Sequence, residues 1–198
     1  MKLLIPVLAF TALALPMASF GQSAEFWIGG GMSTLSNNGI GTLSAIGGTA
    51  NDVQLKGGFR INFRMAINTG DRMGHEVGYA YNRTQLAEVG SSDQGMAIHQ
   101  GFYNFLYYAT KEGSRVRPFA TGGVHFSNFV PPGTSAGQGG GNTKFGFNYG
   151  AGVKVKLNSR FGLRVDFRQY MTGKPFSLPM ASGLLRQNEI SASFGFLL

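Results

Sequence analysis

The chain has 198 residues, no cysteine, 31 glycines and a formal net charge of +8. Lack of cysteine excludes a disulfide framework and any thiolate-based metal or catalytic site. Only 13% of the residues are charged, and the basic ones form no single block, which argues against nucleic acid as a partner and for attraction to anionic lipid headgroups or lipopolysaccharide.

The first residues read as a secretory signal. Lys2 is a short positive segment, 3–15 is nearly pure apolar, and Ser19-Phe20-Gly21 supplies small residues for cleavage. Residues 1–21 are therefore expected to be removed, leaving 22–198 as one domain. Beyond the signal there is no run of about 18 apolar residues, so no transmembrane helix is expected.

From there the chain alternates. Strand side chains point to opposite faces in turn, so a period of two marks a strand. The first strand is expected at 25–33, with Phe26, Ile28 and Met32 on one face and Trp27 near its end as an interfacial aromatic. A Ser/Asn/Gly/Thr-rich loop, 34–52, follows. The second strand, 53–67, sets Leu55, Phe59, Ile61, Phe63, Met65 and Ile67 toward lipid and Arg60, Asn62 and Arg64 away. After a turn at 68–73 comes the third, 74–84, with Val77, Tyr79 and Tyr81 opposite Glu76, Gly78, Ala80 and Asn82. A polar loop, 85–96, leads to the fourth, 97–110. This strand is aromatic on both faces, and Gln100 and Asn104 mark its inner one.

A turn at 111–114 leads to the fifth strand, 115–128, with Val116, Ala120, Val124 and Phe126 opposite Arg117, Thr121, His125 and Ser127. A Gly/Pro-rich loop, 129–143, precedes the clearest hairpin. In its first arm Phe145, Phe147, Tyr149, Ala151, Val153, Val155 and Leu157 alternate with Lys144, Asn148, Lys154, Lys156 and glycines. In its second arm Phe161, Leu163, Val165 and Phe167 oppose Arg164, Asp166 and Arg168, and Asn158-Ser159 make the turn. Loop 171–187 precedes the last strand, 188–198, where Ile190, Ala192, Phe194, Phe196 and Leu198 oppose Glu189, Ser191, Ser193 and Gly195.

Eight strands joined by connections that run long, short, long, short, long, short, long describe an all-β, eight-stranded antiparallel up-and-down transmembrane barrel. Short turns face the periplasm, and the loops 34–52, 85–96, 129–143 and 171–187 face out of the cell.

Particular segments carry a family likeness. Arg117-Pro118-Phe119 leads into Thr121-Gly122-Gly123-Val124, Phe147 to Val153 reads FNYGAGV, and Phe161 to Arg168 reads FGLRVDFR. With these the chain resembles the small eight-stranded outer-membrane β-barrels, the OmpA and OmpX type and the opacity-like surface proteins. The resemblance implies export to the outer membrane and a structural or surface-interaction role, with no enzyme activity and no cofactor. It also implies assembly by the barrel machinery reading the last strand. Such barrels usually end in Phe, whereas this chain ends at Leu198.

An eight-stranded barrel has room for side chains and little else. The inward charges Arg60, Arg64, Glu76, Lys154, Arg164, Asp166, Arg168 and Glu189 are expected to pair with one another and plug the lumen. The alternative for this set is a small passive, anion-preferring pore. His125-Phe126-Ser127-Asn128 resembles an HxSN segment of barrel lipid A deacylases, which would make His125 a base and Ser127 a nucleophile. No Asp or Glu lies between Glu112 and Asp166 to orient the histidine. His75, His99 and His125 fall on three strands without carboxylates at metal-ligand spacing, so no metal is expected. The expected partners are outer-membrane lipids, lipopolysaccharide and the assembly machinery, for a monomer that binds no nucleic acid.

Overall fold

The computed structural model describes residues 23–44, 46–138 and 140–198. The expected signal segment, 1–21, lies outside them. The strands are β1 (Ser23–Ser36), β2 (Gly39–Gly41), β3 (Val53–Gly70), β4 (Met73–Glu88), β5 (Gln94–Tyr108), β6 (Val116–Val130), β7 (Asn142–Lys156), β8 (Phe161–Gly173) and β9 (Leu184–Leu197). Each strand from β3 to β9 pairs antiparallel with the next, and β1 pairs with both β9 and β3. The sheet therefore closes on itself with eight long strands. β2 is a three-residue addition that pairs only with the start of β3.

The long strands run from 13 to 18 residues. A tilted strand needs only about 9–11 residues to cross a bilayer, so their ends project beyond it. Closure satisfies every strand edge, the condition for a sheet in hydrocarbon. The period of two then sorts side chains by polarity. Ile28, Phe63, Tyr79, Phe105, Phe126, Phe147, Val165 and Phe194, one from each long strand, point outward and are 40–54% exposed. Arg64, Glu76, Asn104, His125, Asn148, Asp166 and Glu189 point inward and are buried. This inverts the usual placement of apolar and charged residues in water.

Four local expectations are corrected. First, the pairing of β4 with β5 continues to Leu86 and Gln94, so the loop expected at 85–96 shrinks to 89–93. Polar composition there reflects strands projecting into water rather than a long loop. Second, the β3–β4 register breaks between Lys56 and Phe59. At Gly58 a side chain would collide with the Arg83 carbonyl. This bulge flips the face, so Leu55 is fully buried inside while Phe59 faces out. Third, Trp27 is not at the lipid interface. It points inward, 2% exposed, and donates to Glu25 Oε2 at 2.9 Å. Fourth, the β7–β8 connection is wider than a two-residue turn. It spans 157–160, and Asn158 Oδ1 accepts from the amides of Arg160 (2.8 Å) and Phe161 (2.9 Å).

Candidate functional site

The interior of the barrel is built in layers. At the loop end Ile40, Val53, Leu55, Met96, Ile98, Phe129 and Leu185 form a buried apolar cluster. Phe176 and Leu178, from the connection between β8 and β9, pack onto it from above. That connection is pinned by Thr42 N donating to Pro179 O (3.1 Å) and Phe176 N donating to Asn142 Oδ1 (3.2 Å). Phe176, Ser177 and Met180 all carry positive φ, between 51° and 66°. Three non-glycine residues in this region indicate a backbone held in place by its packing.

Below lies the charged layer. Asp166 accepts from Arg164 Nε (2.7 Å) and Nη2 (2.8 Å), and from Arg168 Nη2 (3.0 Å). Arg164 Nη1 and Arg168 Nη2 both reach Glu76, at 2.5 and 2.7 Å. Arg64 Nη2 donates to Glu189 Oε1 at 2.5 Å, and its Nη1 lies 3.4 Å from Asp166. Arg60 Nε lies 3.0 Å from Glu189 Oε2 without hydrogen-bond geometry, and its Nη2 donates to Tyr170 OH at 3.0 Å. Tyr170 in turn donates to Glu189 Oε2 at 2.9 Å. These side chains come from β3, β4, β8 and β9 and meet across the lumen. Four guanidinium groups face three carboxylates, all of them 0–2% exposed. Paired guanidinium forks suit carboxylates in such a space because both are planar and bidentate.

Lys154 stands apart from these seven. Its partner is Glu25 of β1, with Tyr108 OH at 2.6 Å and the rings of Trp27, Tyr108 and Phe119 within 4.9–5.8 Å of its nitrogen. Glu25 was absent from the charges expected inside. Its signal was available, since it shares the face of Trp27 opposite Phe26 and Ile28. The sequence reading likewise passed over the inward Tyr170, which ties Arg60 to Glu189.

The structure does not assemble the alternative catalytic pair. His125 is buried inside the wall, 3% exposed. Its ring stands edge-on to Tyr170 at 5.2 Å, and neither ring nitrogen has a hydrogen-bond partner among the described residues. Ser127 Oγ accepts instead from Gln100 Nε2 at 2.9 Å. Asp166 is held by its arginines. Among the described residues no group of three or more metal-ligating side chains is found.

Compared with known proteins, the sequence matches the family described as outer membrane protein beta-barrel domain over residues 5–196. The chain belongs to this family. The match covers nearly all of this outer-membrane barrel, which accordingly lies in the outer membrane. Three solved structures share the fold of this family member. Neisserial surface protein A is 15% identical, with a TM-score of 0.62, over 89% of this chain and 98% of that one. OprG from Pseudomonas aeruginosa is 13% identical, with a TM-score of 0.54, over 89% and 97%. Ail, the attachment invasion locus protein of Yersinia pestis, solved with the heparin analogue sucrose octasulfate, is 13% identical, with a TM-score of 0.53, over 89% and 99%. At these identities the likeness is one of fold. A search of curated proteins returns no match.

Proposed function

We propose that this outer-membrane barrel is a closed scaffold with a structural or surface-interaction role, and not a channel. The observation that supports it most directly is the filling of the lumen. An apolar cluster occupies the loop end, seven mutually paired charges occupy the middle, and Lys154 with Glu25 lies beneath. Water or a solute crossing this interior would have to part Arg–carboxylate pairs that are buried on all sides, at a cost of several kcal/mol each (roughly 3–5).

In this reading the wall contacts lipid and lipopolysaccharide through its exposed aromatic and aliphatic face. The loops 37–52, 131–141 and 174–183 meet the cell's surroundings, β9 is the strand recognised during assembly, and the barrel acts as a monomer. Reconstitution into planar bilayers tests the closed lumen. The expected result is no discrete conductance steps across neutral pH and moderate voltage. Reproducible unitary currents that disappear when Glu189 or Asp166 is substituted would establish a pore instead.

A further inference from the structure

The turn end of the barrel, the periplasmic end in a barrel of this kind, contains a cavity that neither the charged layer nor the apolar cluster fills. It measures about 110 Å³. Trp27, Glu25 and Lys154 line it together with Arg115, Arg117 and Lys156, while Glu112 is the one other carboxylate side chain among the described lining residues. The two carboxylates are already engaged. Glu25 binds Lys154 and accepts from Trp27 Nε1 and Asn68 Nδ2, both at 2.9 Å. Glu112 accepts from Ser23 Oγ. With Lys154 set against Glu25, the three cationic side chains Arg115, Arg117 and Lys156 outnumber the one remaining carboxylate side chain, Glu112, beside the last residue, Leu198.

Arg117 is the unusual member. It is 7% exposed and its guanidinium carbon sits 3.7 Å from the Tyr108 ring centre. Its Nη2 donates to Asp71 O at 3.1 Å, yet its buried Nε has no partner among the described residues. Stacking and the Asp71 bond fix the guanidinium in orientation, and its Nη1, which donates to no described residue and is not buried, is the end left to a ligand in the cavity. Buried charged donors left without an acceptor are uncommon and costly.

We propose that this cavity binds a phosphate-type oxyanion, with Arg117 as its principal ligand and Arg115 and Lys156 as rim charges. The volume supports this class. A single water needs about 10–15 Å³ of such space, so the cavity holds several water-sized groups, enough for a tetrahedral oxyanion. A planar guanidinium fork matches two phosphate oxygens, and stacking on an aromatic face preserves that fork. The site opens toward the turn end, so the same chemistry is reachable by free phosphate in solution or by the phosphate of a lipid headgroup at the inner rim.

The chain's single tryptophan, Trp27, lines this cavity and reports on it. The mature barrel is folded in a phosphate-free glycoside detergent and titrated with inorganic phosphate, with chloride at matched ionic strength as the control. A second arm adds an anionic phospholipid to the micelles without free phosphate. A saturable change of Trp27 emission with phosphate and none with chloride supports the free ion. A change with phospholipid alone supports the same site with a headgroup as its source. Arg117→Gln weakens binding about tenfold to a hundredfold, the loss of a charge-assisted hydrogen bond. Because Arg117 also contacts Tyr108 and Asp71, Arg115→Gln at the exposed rim provides a variant that leaves the packing intact and weakens binding about two- to fivefold. An equal response to chloride, no response in either arm, or an unchanged affinity in both variants overturns the proposal.

Discussion

Asp166→Asn is the sharpest perturbation of the charged layer. Asp166 receives hydrogen bonds at 2.7 and 2.8 Å from Arg164 and at 3.0 and 3.2 Å from Arg168, and Arg64 lies 3.4 Å away. An asparagine keeps one acceptor oxygen but turns an NH₂ toward guanidinium donors. It also leaves four buried arginines facing two carboxylates where there were three. Breaking a buried pair by removing one partner costs about 3–5 kcal/mol. With a urea slope of about 2 kcal/mol per molar, the midpoint falls by roughly 1.5–2.5 M. The assay is urea unfolding in lipid vesicles, followed by Trp27 fluorescence and by heat-dependent gel migration. Adding Arg164→Met to Asp166→Asn removes one of the stranded cations, so the double variant is less damaged than the two single effects summed. Recovery is partial because Arg164 also serves Glu76 at 2.5 Å. A midpoint change below about 0.5 M, or strict additivity of the two substitutions, would refute the view that these charges stabilise one another.

Leu55→Ala, in the apolar cluster at the loop end, is expected to cost about 2–5 kcal/mol by cavity formation and to lower the same urea midpoint. A loss below 1 kcal/mol, roughly the cost of an exposed truncation, would mean that Leu55 faces outward after all. Asp52 lies outside the membrane span, where hydrogen bonds from Thr49 and Thr42 hold its carboxyl below the usual aspartate range. A depressed folded-state pKa stabilises the loop above the unfolded pKa and ceases to do so as pH falls through the folded one. The Thr49 amide, which donates to Asp52 at 2.9 Å, should therefore keep its bonded NMR shift through the ordinary aspartate range and lose it only in stronger acid, and Asp52→Asn should reproduce the unbonded shift at neutral pH. A Thr49 resonance constant from neutral pH to strong acid would contradict it.

The barrel was legible because polarity and backbone period coincide along most of the chain. On β8 every residue from Leu163 to Arg168 falls on the face its alternation assigns, and the same holds on β9 from Glu189 to Phe196. Reading failed where the period was interrupted or its contrast vanished. Leu55 and Phe59 share parity, and only the bulge between Lys56 and Phe59 separates their faces. Nothing in the residue types Gly57-Gly58 announces a bulge rather than a weak strand. The second outer loop was overdrawn because a strand that projects into water has polar residues on both faces, as Gln85 and Gln94 do, and so reads as a loop. Trp27 was misjudged by a rule about tryptophan rather than by its parity, which points inward.

Alternation assigns a charge to the lumen but does not name its partner. Two adjacent strands limit the choice to cross-strand neighbours, yet the strongest pairs here are not between neighbours. Arg64 on β3 reaches past β1 to Glu189 on β9, and Arg164 on β8 reaches Glu76 on β4, on the opposite wall of the barrel. Such pairs exist because an eight-stranded barrel is narrow enough for an arginine to span, and the long, forked side chain holds two acceptors at once. Lysine at the same positions would place one point charge in the lumen and leave the second carboxylate unserved. This explains why the middle layer is arginine throughout while Lys154, the buried lysine of β7, sits lower, among Tyr108, Trp27 and Phe119 and with a single acid, Glu25. The paired charges of the middle layer and the cation-rich cavity at the turn end thus follow from where the chain puts arginine beside acids and where it does not.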